Sequence, residues 1–127
     1  MNYKMDRIDT EYRSYIFLKN KQFNFERNGN MRRAFLTNFD ALYRLITIYM
    51  WTYTSYTQLN HPLAQKIIVE EAGVTDEFNW RRIYKHRCNI KYNSEQPVSE
   101  SIFLQLKHTE SEILTILREQ ITFHKTV

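Results

Sequence analysis

The chain has 127 residues, a length suited to one domain with one hydrophobic core, and its two glycines and two prolines leave little turn punctuation, which argues for a few long helices. An aromatic share of 15% argues against a disordered chain, and a formal charge of +4 permits a nucleic-acid or acidic protein partner without demanding one. Cys88 is the single cysteine, so no intrachain disulfide can form, and a reducing, cytoplasmic setting is expected in the absence of a signal-peptide pattern.

In chain order, Met5, Ile8, Tyr12, Ile16 and Phe23 recur at helical spacing and predict a first helix from Lys4 to about Arg27. Its tail, Lys19-Asn20-Lys21-Gln22, is polar enough to fray, and Asn28-Gly29-Asn30 is a helix stop. The second helix, about Met31 to Thr57, carries the strongest pattern. Phe35, Phe39, Leu42, Ile46, Tyr49, Tyr53 and Tyr56 step alternately by four and three, the seam of an antiparallel bundle. The uncharged run Leu45 to Gln65 holds too many Thr, Ser, Asn and Gln residues for a membrane span, so a buried helix is expected there.

Pro62 to Ala72, closed by Gly73, predicts a short helix, and Thr75 is the expected cap of the next. Asn93 to Pro97 ends that fourth helix, and a fifth starts near Val98 or Ser99. Thr109 and Glu112 form a capping-box pattern ahead of Ile113 and Leu114, which predicts a break near His108 and a last helix packing Ile113, Ile116, Leu117 and Ile121. The expected fold is all-α: a compact up-down bundle of five to six helices in one domain, residues 1–127.

The fourth helix carries the chemistry. Arg81, Arg82, Lys85, Arg87 and Lys91 lie in a stretch without acids, interleaved with Trp80, Tyr84 and Tyr92, as suits phosphate contact and base stacking. A solvated helix face has the same composition. Arg87 departs from that reading, because Trp80, Ile83, Tyr84, Arg87 and Ile90 share one apolar arc about 120° wide. A guanidinium there must snorkel, pair with an acid or face a cleft. His86 follows Arg81 at a spacing that suits a cation beside a proton carrier, although the wheel puts both on the solvated side. His86 and Cys88 are two apart and do not face each other, and His61, His108 and His124 lack ligand spacing, so no metal is expected. No P-loop or dinucleotide fingerprint occurs, and no cofactor is expected.

Asn38-Phe39-Asp40-Ala41-Leu42-Tyr43 in the long helix, Pro62 to Gly73, the acidic Asp76-Glu77 turn, and Trp80 followed seven positions later by Arg87 together resemble the HEPN domains paired with minimal nucleotidyltransferases. The resemblance covers residues 31–124 and leaves residues 1–30 as a family helix or an addition. In that family the Arg and His of an R-x4-6-H motif meet across a dimer cleft and cut RNA without metal. The resemblance implies that Arg87 is the motif arginine. Tyr92 stands at the histidine position, and a phenol is a poor proton shuttle at neutral pH. It therefore implies a homodimeric RNA- or nucleotide-binding protein without efficient ribonuclease activity. A partner of the nucleotidyltransferase or defence-system type, as in toxin–antitoxin pairs, is also implied. Two rival expectations are an active ribonuclease using Arg87 with His86, and a small interaction protein of a mobile element, to which the Asn-, Lys-, Ile- and Tyr-rich composition points.

Overall fold

The computed structural model describes residues 3–126, with side chains described through Glu119. Every element is helical: α1 Tyr3–Arg27, α2 Met31–Tyr53, α3 His61–Gln65 continuing into one π-helical turn at Lys66–Glu71, α4 Glu77–Tyr92 and α5 Glu100–Thr126. Among the described residues no helix is long and apolar enough to cross a membrane.

α2 is the central helix, as its doubled apolar rows require. Phe35, Phe39, Leu42, Ile46 and Tyr49 are buried, and Ala34, Ala41, Leu45, Ile48, Met50 and Trp51 fill its other flanks. α1 runs antiparallel along it after a turn in which Gly29 takes φ 75° and the Asn30 N–H reaches the Phe25 carbonyl. Arg44 pairs with Glu11 at one end of this hairpin, and Gln22 bonds Asn38 nearer the turn. α4 crosses the same helix through Trp80 on Phe39, tied at its C-terminus by Arg32, whose guanidinium donates to the Ile90 carbonyl at 2.8 Å. A cation there also complements the helix dipole. α5 closes the bundle by setting Phe103 edge-on to Phe35.

Four local expectations need correction. α2 stops at Tyr53, not Thr57, leaving Tyr53 and Tyr56 exposed. The Thr54 hydroxyl donates to the Met50 carbonyl at 2.7 Å and accepts the Tyr56 N–H at 3.2 Å, a local alternative to the helical ladder. α5 has no break near His108: Thr109 is fully buried and returns its hydroxyl proton to the Gln105 carbonyl, so the helix continues through the capping-box pattern. Ile113 and Leu117 are buried as expected, and Ile121 lies outside the described side chains. The cap of α4 is Asp76, one residue after Thr75, with its carboxylate accepting the Asn79 N–H at 2.7 Å.

The fourth correction concerns α1. Its inward face is Tyr15, Leu18, Gln22 and Phe25, with Ile8 and Tyr12 beside them, whereas Met5, Ile16 and Phe23 point outward. Polar bonding sets this rotation. Glu110 of α5 is buried and accepts from the Tyr15 hydroxyl, from Lys19 at 2.9 Å and from Asn38 at 2.7 Å. Gln22 joins Lys19, Glu26 and Asn38, and Lys107 pairs with Glu26 at 2.7 Å. Because Lys19 and Gln22 belong to this network, the expected fraying of that segment does not occur.

Candidate functional site

A cleft of about 450 Å³ opens between α2 and α4. Phe39, Asp40, Tyr43, Arg44 and Thr47 line it from α2, Tyr84 and Arg87 from α4, Leu18 from α1 and Leu59 from the loop ahead of α3. The apolar arc of α4 explains the placement. Trp80, Ile83 and Ile90 anchor the helix in the core, so the residues at the edge of that arc, Tyr84 and Arg87, reach the gap beside α2 half-buried.

The Arg87 guanidinium lies over the Phe39 ring, 5.2 Å from its centroid. Among the described residues it makes no ion pair within 4 Å. Of the charges acting on Asp40, Arg87 acts most strongly, yet the two do not form a salt bridge. The Asp40 side chain is exposed by area at the rim, while the cleft walls still withdraw enough solvent to raise its pKa. That effect outweighs the attraction of Arg87, Arg44, Lys91 and Lys21. Arg44 is held by Glu11 at 3.1 Å. The Tyr43 phenol is pushed up to about 12 by burial, with Tyr84 adding and Arg87 opposing.

Sequence reasoning missed His61. The Asn60 side chain caps α3 by accepting the Leu63 N–H at 2.9 Å, and this cap sets the adjacent imidazole against the cleft wall. His61 stacks on Tyr84 with centroids 3.6 Å apart and planes 17° apart, and its Nδ1 lies 3.5 Å from the Tyr43 hydroxyl. Burial, and secondarily the charge of Arg87, lowers its pKa, so the ring is neutral at pH 7. Its one sequence signal is the Asn-His-Pro cap.

The predicted nucleic-acid residues divide among three places. Arg87 and Tyr84 line the cleft. Arg81, Arg82, Lys85, Lys91 and Tyr92 lie on the exposed side of α4, where Arg81 pairs with Glu77 at 2.7 Å and Arg82 sits over Phe78. Trp80 is fully buried, stacked on Phe39, and offers no face to a base.

His86 is not on the solvated side. α5 begins over that flank of α4, so His86 is buried, edge-on to Phe35, with its Nε2 accepting the Ser99 N–H at 2.9 Å. That bond requires an unprotonated Nε2, and burial followed by the charge of Arg82 lowers the pKa from 6.5. A histidine whose folded pKa lies below its unfolded value stabilises fully above the unfolded pKa, and that contribution is lost as pH falls through the folded one. His61 acts in the same direction. The melting temperature is therefore expected to fall between about pH 7 and about pH 5. His86→Gln, which can keep an acceptor for Ser99, should flatten that slope. An unchanged slope in the His61→Gln/His86→Gln double variant would assign the loss to carboxylates instead.

Among the described residues no three His, Cys, Asp or Glu side chains gather as a metal site. Comparison with known proteins finds no matching family model, no matching curated protein and no matching solved structure.

Proposed function

We infer that this chain is a HEPN-like helical protein that binds RNA or a nucleotide in the Arg87 cleft, without efficient ribonuclease activity. The observation that carries this reading is the half-buried guanidinium on Phe39, without an ion pair among the described residues, at the wall of a cleft between aromatic and basic side chains. A phosphate oxygen supplies the negative partner that Arg87 lacks, and the Tyr84 ring, covered on one face by His61, lines the cleft together with Tyr43 as an aromatic contact for a base or ribose. The exposed cations of α4 extend the positive surface beyond the cleft and suit a polymer better than a lone nucleotide.

The test is fluorescence anisotropy with a labelled structured RNA across a salt series. Binding should weaken steeply with salt, and Arg87→Ala should raise Kd at least about tenfold, the loss of one charge-assisted contact. Since Arg87 holds no ion pair among the described residues and only covers the Phe39 ring, the melting temperature should change little. Full-strength binding by Arg87→Ala would remove the cleft from the reading, and no binding at low salt would remove RNA.

His61 favours a second reading, a metal-independent ribonuclease. Its neutral imidazole does not itself line the cleft but stacks on Tyr84, which does, and supplies a proton acceptor that Tyr92 and His86 do not. In that case RNA fragments would carry cyclic-phosphate ends, and both Arg87→Ala and His61→Ala would stop the cutting.

A further inference from the structure

We propose that Asp40 reads the base in the Arg87 cleft and selects guanine in single-stranded RNA, a role that rests on the RNA-binding reading of that cleft. The carboxylate lines the same cleft as Arg87, Tyr84 and Tyr43, so a ligand held by those side chains meets it too.

Charge balance alone does not account for an acid in that place. Four cations from three helices act on Asp40: Arg87 and Lys91 of α4, Arg44 of α2 and Lys21 of α1. Asp40 pairs with none of them within 4 Å, and Arg44 is taken by Glu11. It therefore holds no cation in position. Toward a phosphate it is repulsive, and a cleft that bound phosphate alone would bind it better without this residue. The same group becomes an asset when the ligand presents N–H donors, since an ionised carboxyl can only accept. Asp40 stands at the rim within reach of such donors, and the cleft walls withdraw part of the water that would compete for them.

Base chemistry then decides the partner. Aromatic contact with Tyr84 does not tell bases apart, because every base has a π-face. Their edges differ. Guanine alone sets two donors side by side, N1–H and the N2 amino group, at the spacing of the two carboxylate oxygens. Adenine and cytosine place a ring acceptor beside the amino group, and uracil flanks its N3–H with carbonyls. Each of these would turn a lone pair toward Asp40. The Watson–Crick edge is free for such a contact in single strands and loops, not within a duplex.

Fluorescence anisotropy of the full chain tests the proposal, with labelled oligouridine carrying one central guanosine, inosine or adenosine. The three probes share length and charge. The wild type should bind the guanosine probe at least about tenfold tighter than the adenosine probe, with inosine, which lacks the N2 amino group, between them. Asp40→Asn should weaken binding of the guanosine probe and strengthen that of the adenosine probe, because the amide sets a donor beside an acceptor, as the adenine edge does. Loss of folding cannot mimic that exchange of preference. Equal wild-type affinity for the three probes would overturn the proposal. So would an Asp40→Asn variant that gains the same factor on all three, the mark of a solvated carboxylate that only opposes phosphate. Arg87→Ala should weaken binding of every probe alike. If it does so while Asp40→Asn leaves base preference untouched, the cleft reading stands and the role of Asp40 falls. If Arg87→Ala changes nothing, the cleft itself is removed and this role goes with it.

Discussion

Glu110→Ala is expected to lower the unfolding free energy by about 3 kcal/mol in urea titration, although it removes no apolar contact of note. The carboxylate accepts from Tyr15 and Asn38, both buried, and from Lys19 at the edge of the core. Removing it leaves two buried donors without their acceptor, at about 1–3 kcal/mol each. Lys19 retains access to water, so the penalty of a stranded charge is smaller than in a sealed pair. Glu112, two residues on and exposed on the far side of the helix, pairs with His108 at 3.6 Å. Glu112→Ala should change stability by less than about 0.5 kcal/mol. Equal losses at the two positions would show that the inner carboxylate holds nothing that the outer one does not.

The second large effect is at Trp80, where two substitutions are expected to part company. The indole is fully buried on Phe39, close to Tyr43 and His61, and Trp80→Ala should cost about 4 kcal/mol through lost burial and the cavity left behind. The Nε1 proton of this indole has no acceptor among the described residues. Trp80→Phe discards that unsatisfied donor along with part of the ring, so its cost should stay within about 1.5 kcal/mol. Chemical denaturation of the two variants measures the difference. A Phe variant as unstable as the Ala one would reveal an acceptor for the indole N–H.

These residues also mark what could be read from the chain. The row from Phe35 to Tyr49 was legible because the core contact there is purely apolar, and apolar spacing reports it directly. The arc placing Arg87 beside Trp80 and Ile90 was legible for the same reason. α1 was misread because its inward face includes Gln22 and Lys19, which hydropathy assigns to water until Glu110, far along the chain, is brought beside them. The break predicted at Thr109 failed likewise, since a threonine with a satisfied hydroxyl can sit inside a helix as well as cap one. His61 was invisible as a support of the cleft wall because it meets Tyr84 and Tyr43 only once α3 is folded against α2 and α4.

The wide turn at Lys66–Glu71 has a bearing on how α4 arrives at the cleft. The Ala72 N–H reaches back five residues to Ile67, and the Val74 N–H reaches Ile68. One residue more than ordinary pitch is thus accommodated in the loop of backbone, and adjacent isoleucines both point inward. The extra residue acts as a local spacer: it eases the hydrogen-bond ladder so that the chain can leave the helix at Gly73, whose φ of 63° turns it toward the start of α4.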